Sequence, residues 1–219
     1  MNQELNILHQ DDDHAVVLKE AGMSAHGRGR QNLSALLARS AALPPGAKAV
    51  HRLDHGTRGP VLVAWNSKTM AAFQAQWPSI VKTYHSWVVG SLLPEAGRCG
   101  FPLDGKPSRS TFNVLGTRSW AVHESATLVE WTIDTGRTHQ IRRHAAAMGH
   151  PVVGDLVYGT PPLYTGAGLH LTCTQLEYRH PATGKAMAVQ VRPAKKMRRV
   201  IPGDFTAVGA SKFTALFEG

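Results

Sequence analysis

Short β-rich segments joined by hairpin-length polar links recur along this chain. That pattern limits it to folds built on a mainly antiparallel sheet. LNILHQ and HAVVLKE flank the acidic turn Asp11–Asp13. PVLVAW reads as a buried strand, and IVKTYHSWVVG is β-rich in composition. Its alternation sets Lys82, Tyr84, Ser86 and Val88 against Val81, Thr83, His85, Trp87 and Val89. TFNVLG, SWAVHE and ATLVEWTID read as three strands of a meander, and LPEAGRCGFPLDGKPSRS before them as a turn-rich insertion. GLHLTCTQLEYRH and KAMAVQV read as a closing hairpin across PATGK. Three segments have helical spacing instead. NLSALLARS has Asn32 as N-cap, with Leu33, Leu36 and Leu37 on one face. SKTMAAFQAQW has Ser67 as N-cap, with Met70, Phe73 and Trp77 inward, and ends at Pro78. TGRTHQIRRHAAAMGH places Ile141, Ala145 and Met148 toward the core.

The 219 residues suffice for one substantial core, and no internal repeat or linker divides them, so a single domain over 1–219 is expected. Lys and Arg exceed Asp and Glu by 24 to 15, a net charge of +9. In a chain this size, that excess favours a polyanionic partner, nucleic acid first. Cys99 and Cys173 form no CxxC pair, which excludes a disulfide framework and fits a reducing, cytoplasmic setting. MNQELNILHQDDD has no basic stretch followed by an apolar run, so no signal peptide is expected. No run of about 18 apolar residues exists to cross a membrane.

Three stretches mix charge with apolar residues where a plain core would not. The first, HRLDHGTRG, carries Arg52 and Asp54; the second carries Lys82 and Tyr84. The third, GRTHQIRRH, carries Arg137, His139, Arg142, Arg143 and His144. Asp54 follows Leu53 and precedes an apolar strand, which half-buries its carboxylate. Burial alone raises such a pKa and a guanidinium lowers it. Arg137, where a strand gives way to a helix, is the natural partner. An ionised Asp held this way acts as nucleophile or base, or else merely ties a turn down. Tyr84 either stacks on a planar ligand or fills the core. His139, His144 and His150 have no carboxylate among them and no HExxH spacing, so no metal is expected. GTRG and HGRGR match no phosphate-binding loop, and no nucleotide cofactor is expected. Lys195, Lys196, Arg198 and Arg199 form a basic cluster, either a solvated tail or a contact for RNA phosphates. The residues alone support binding or acting on nucleic acid.

The three stretches, in this order, resemble the RluA-type family of RNA pseudouridine synthases. The family pattern HRLDxxTSG is met by HRLDHGTRG with one departure, Arg58 for Ser. KxYxAxVxG is met by KTYHSWVVG, with Ser86 for Ala. GRTHQIRxHxxxxGHPxxGDxxYG is met at every fixed position by Gly136–Gly159. A Leu-His pair, a strand and an HPxTG turn follow in LHLTCTQLEYRHPATG. ILHQDDDHAVVLKEAG is similar to the family's opening strand pair, with Glu20 for a usual Pro. The similarity runs from about Leu5 to about Val191, leaving a basic tail over about 192–219.

The resemblance implies an α+β fold: a bent, mainly antiparallel mixed sheet with flanking helices and a central cleft. It implies isomerisation of uridine in tRNA or rRNA to pseudouridine, with no cofactor and no metal. Asp54 would be the catalytic carboxylate, Arg137 its partner, and Tyr84 the ring that stacks on uracil and helps remove the C5 proton. Arg52 would help hold the extruded nucleotide or fill its place in the RNA, and Leu169 or Ile141 would pack under the base. His51, Thr57, Arg58, Lys82, His139, Arg142 and His170 complete the expected substrate contacts. A monomer that selects its RNA without an extra domain is expected. Two other readings stay open. An idle RNA-binding protein has no need of an ionised buried Asp. A glycosidic hydrolase would need a second carboxylate, and none is evident.

Overall fold

The computed structural model describes residues 4–27, 32–120, 122–164, 166, 168–199 and 205–207. The glycine-rich loop expected over AGMSAHGRGR lies partly outside these residues, and so does most of the tail after Arg199. The chain packs as two compact units. One comprises Met1–Lys82 with Gln175–Val191, the other Thr83–Thr174 with Arg192–Gly219.

In the first unit, β1 (Asn6–Gln10), β2 (His14–Lys19), β4 (Gly59–Ala64) and β3 (Lys48–Ala49) form an antiparallel sheet in the order β1-β2-β4-β3. Every residue of β2 and β4 is buried, as continuous apolar runs in covered strands require. Their register sets His14 opposite Ala64 and Lys19 opposite Gly59. Helix α1 (Leu33–Arg39) is capped as expected, with Asn32 accepting the Ala35 N–H at 2.9 Å. Helix α2 (Ser67–Ala75) is capped one residue earlier than expected. Asn66 is extended and accepts the Thr69 N–H at 2.9 Å, so Ser67 is the first helical residue, not the cap. Pro78 falls in a single 3₁₀ turn, Trp77–Ser79. The hairpin expected across PATGK is present: β10 (Ala186–Gln190) pairs with Gln175–Arg179 of β9 (Leu171–Arg179). Phe73, Ile80, Val16, Leu62, Leu176 and Tyr178 form this unit's core.

In the second unit, β5 (Val81–Val89) pairs with β8 (Glu124–Ile133), and β8 with β7 (Ser110–Trp120), all antiparallel. The two strands expected from TFNVLG and SWAVHE are one. A register shift between Val114 and Gly116 lets β7 pass through glycine without ending. β6 (Ala96–Cys99) lies inside the expected insertion and pairs with β7. Its sequence, AGRC, has no β-forming residue except Cys99, and Gly97 is required there because a Cβ would strike the Phe112 ring. Helix α3 (Gln140–Ala147) buries Ile141 and Ala145 as expected. The basic cluster forms α4 (Lys195–Arg199), anchored by Met197, which is buried and whose carbonyl accepts the Trp87 indole N–H at 2.8 Å. β11 (Phe205–Ala207) pairs with β7. No helix among the described residues is long and apolar enough to cross a membrane.

Phe73 is fully buried in the first unit's core. Phe73→Ala is expected to lower the unfolding free energy by about 3–5 kcal/mol, read as a lower urea midpoint at unchanged slope.

Candidate active site

The first unit carries the HRLDHGTRG stretch on the loop between β3 and β4. Leu53 and Thr57 are buried, Asp54 is half-buried and Arg52 is exposed. The Asp54 carbonyl accepts the Thr57 N–H at 3.0 Å, closing a tight turn directly after the carboxylate. His51 fixes the start of the loop, its Nε2 accepting the Leu62 N–H of β4 at 3.1 Å. That role requires a neutral ring. Burial, aided by the charge of Lys82, holds the His51 pKa down at about 3. The Lys82 ammonium is itself buried and lies 4.1 Å from the centre of the Trp77 ring.

The chain after β2 holds the other side of this loop. The Gly22 N–H donates to the His55 carbonyl at 2.8 Å, from a turn whose φ of +83° favours glycine. Lys19, unremarkable in the sequence, is fully buried. Its ammonium donates to the carbonyls of Met23 at 2.7 Å, Glu20 at 3.0 Å and His55 at 3.4 Å. Burial pulls its pKa down to about 8, while the charges of Asp54 and then Glu20 hold it up.

The second unit carries the remaining stretches. Tyr84 is buried on β5 opposite Trp131. Arg137 is exposed, and its Nε donates to the Pro107 carbonyl at 3.1 Å. Gln140, absent from the expected site, shapes the turn before α3. Its Oε1 accepts the Arg137 N–H at 3.0 Å and the Thr135 hydroxyl at 2.7 Å. Its Nε2 donates to the Arg109 carbonyl at 2.8 Å. His139 sits in the left-handed region at φ +54° and its Nδ1 meets the Tyr158 hydroxyl at 3.1 Å. Arg142, expected as a substrate contact, makes a buried two-pronged pair with Asp155 at 2.6 and 2.8 Å. Burial would raise the Asp155 carboxyl, but the Arg142 hydrogen bonds and the Val157 and Tyr158 amides bring it below the usual range. Ile141 and Leu169 are buried. His170 is fully buried, and neither ring nitrogen has a hydrogen-bond partner among the described residues. Burial, with the nearby Lys196 charge, pushes its pKa down to about 3. Gly154 is irreplaceable for this loop, since a Cβ there would run into the Gly168 carbonyl just before Leu169. Among the described residues, His139, His144 and His150 belong to no group of metal-ligating side chains.

Residues 13–147 match the family profile described as RNA pseudouridylate synthase. The chain belongs to that family. It is 32% identical over 206 residues to the dual-specificity RNA pseudouridine synthase RluA of Salmonella typhi, covering 85% of this chain and 92% of that protein. It is 30% identical to the ribosomal large subunit pseudouridine synthase C of Vibrio parahaemolyticus, covering 90% of this chain and 68% of that one. The fold matches the solved human RNA pseudouridylate synthase domain containing 1 with a TM-score of 0.80, at 20% identity over 99% of this chain and 95% of that one. This is therefore an RNA pseudouridine synthase, an isomerase of uridine in RNA, on the α+β fold of that family.

Within this synthase, two of its three departures from the family pattern meet. Arg58 Nε donates to Glu20 Oε2 at 2.9 Å. The ion pair joins the chain after β2 to the end of the Asp54 loop, alongside the Lys19 and Gly22 contacts. Glu20 is half exposed, which limits the pair to under about 1 kcal/mol. Arg58→Ser and Glu20→Pro are expected to be less than additive, the double variant losing less thermal stability than the singles sum to. A double-mutant cycle of unfolding midpoints measures it.

His170 titrates near 3 in the folded chain and near 6.5 unfolded. A depressed folded value means that its contribution to stability is complete above about pH 6.5 and is lost as pH falls toward 3. The expected slope is up to about 1.4 kcal/mol per pH unit. His170→Leu is expected to flatten that acid dependence in urea titrations without loss at pH 7, since no hydrogen bond is removed.

Proposed function

We propose that Asp54 is the nucleophile of this synthase, and that Tyr84 and Arg137 serve the same reaction. The observation that carries the reading is the setting of Asp54, a half-buried carboxylate on a closed turn held by the chain after β2 and by β4. The Asp54 oxygen bonds C1′ as the C1′–N1 bond breaks, and uracil leaves with the electron pair. The freed base turns, C5 bonds C1′ and displaces the carboxylate, C5 gives up its proton and N1 gains one. Nothing is gained or lost overall, as an isomerisation requires. Tyr84 stacks on the base and assists loss of the C5 proton. Arg137 supplies positive charge that keeps the nucleophile ionised. Exposed Arg52 holds the extruded nucleotide, because neither C1′ nor C5 is reachable in a stacked helix. Thr57, Arg58, His139, Ile141, Leu169 and His170 line or shape the substrate path. His51, Lys82 and Arg142 shape it through their contacts with Leu62, Trp77 and Asp155.

The substrate class is tRNA, rRNA or both, supported by relatives named for dual specificity and for the large ribosomal subunit. The enzyme acts as a monomer, and its +9 charge draws it to RNA. Its two cysteines, both buried and in no disulfide, suit the cytoplasm.

A map of pseudouridine in total RNA, with and without the protein, tests the assignment. Carbodiimide-dependent reverse-transcription stops are expected to vanish in the deletion and to return with wild type but not with Asp54→Asn. Their positions name the RNA. Return of the stops with Asp54→Asn would remove Asp54 from the chemistry. No lost stop at all would favour the idle RNA-binding protein.

A further inference from the structure

A second cluster of reactive side chains lies in the first unit, around the turn between β1 and β2. Asp11 is its centre. One carboxylate oxygen, Oδ1, accepts the N–H groups of Asp13 at 2.9 Å and His14 at 3.0 Å, which fixes the side chain within the turn. The other, Oδ2, meets His9 Nε2 at 2.9 Å and His180 Nε2 at 3.0 Å. The register of β1 on β2 shifts between Ile7 and His9. Such a bulge re-aims the side chain that follows it, here His9.

His14 supplies the observation that the turn alone does not explain. Its ring is fully buried, and Nε2 is engaged with the Tyr178 hydroxyl at 2.7 Å. Nδ1 lies 3.0 Å from Asp11 Oδ1 and has no other partner among the described residues. A buried ring nitrogen this close to a carboxylate oxygen shares either a proton or a cation with it. His180 differs. Its Nδ1 accepts the Ala182 and Thr183 N–H groups, both at 3.2 Å, so Nε2 carries the proton and donates to Asp11. It orients the carboxylate as outer partners of metal ligands do.

We propose that His9 Nε2, Asp11 and His14 Nδ1 form a divalent transition-metal site, with Zn²⁺ the best-suited ion. The candidate ligand atoms of these three residues lie within 4.8 Å of one another. Tetrahedral zinc with bonds near 2.0–2.1 Å sets its ligands about 3.3 Å apart. His9 Nε2 lies 2.9 Å from Oδ2 and His14 Nδ1 3.0 Å from Oδ1, so a turn of the carboxylate and a small expansion would set one oxygen at that spacing from both rings. Two imidazoles and one carboxylate suit zinc and its neighbours, not Ca²⁺ or Mg²⁺, which take oxygen ligands. The fourth position is left to water. The spacing His9-x-Asp11-x-x-His14 puts all three ligands on one hairpin, so the ion would clamp the edge strand β1 to the sheet. The site is independent of the synthase chemistry.

Full-length protein stripped with a chelator and dialysed against micromolar Zn²⁺ tests this, with bound metal measured by atomic emission. One zinc per chain is expected, together with a zinc-dependent rise in the unfolding midpoint. His9→Gln changes a partly exposed ring and leaves the buried His14 in place. It is expected to weaken binding at least tenfold, roughly, and to abolish the rise. His26→Gln, at an exposed histidine outside the cluster, is expected to change neither. Co²⁺ in place of Zn²⁺ is expected to show the intense visible absorption of four-coordinate cobalt. Absence of stoichiometric zinc, or zinc binding that His9→Gln leaves intact, would overturn the site and leave a hydrogen-bonded turn.

Discussion

The loop that carries Asp54 depends on a buried ammonium. Lys19 closes β2 opposite Gly59, the residue that opens β4, so the pairing of two covered strands delivers its side chain to the loop between β3 and β4. An isolated charge at that depth would be prohibitive. Three carbonyls, one for each ammonium proton, make it tolerable, and one belongs to His55, the neighbour of Asp54. The same charge interacts favourably with Asp54, whose own charge holds the Lys19 pKa up against burial. Removing Lys19 would therefore disturb geometry and charge together, which explains why a residue outside the proposed chemistry is buried so completely.

The second unit follows the same logic with a different ion. Arg142 and Asp155 neutralise each other in the interior, and two backbone amides complete the carboxylate's hydrogen bonds. The pair ties α3 to the segment that leads through Gly154 toward Leu169. Charged residues inside long motifs thus divide by burial, and the buried ones hold the motif in shape. Arg52 and Arg137 are exposed, whereas Arg142, Lys82 and Lys19 are not.

Pattern made the strands, the helices and the Asn32 cap legible, because each depends on a local run of residues. The errors came where a neighbour distant in sequence decides. β6 is a strand because Gly97 fits under Phe112, not because AGRC favours extension. β7 continues through Gly116 because β8 pairs with it on both sides of a bulge. Asn66 outcompeted Ser67 as cap by one residue, a choice that depends on backbone angles a sequence does not display. The three charged stretches were legible as types of chemistry, and only their resemblance to a family assigned roles within them. Gln140 sat inside the longest motif unnoticed, since a neutral side chain carries no signal of the turn it organises.

The pairing of Glu20 with Arg58 shows what a departure from a family pattern can mean. Considered singly, each substitution loses something: a proline that stiffens the chain after β2, and a small hydroxyl at the edge of the Asp54 loop. Considered together, they form one ion pair between the two segments that Lys19 and Gly22 already join. The loop keeps its attachment through different chemistry, and the Arg58 guanidinium arrives with its own counter-charge. Arg58 therefore adds less positive field to the Asp54 loop than its charge alone would suggest, because Glu20 offsets it at 2.9 Å.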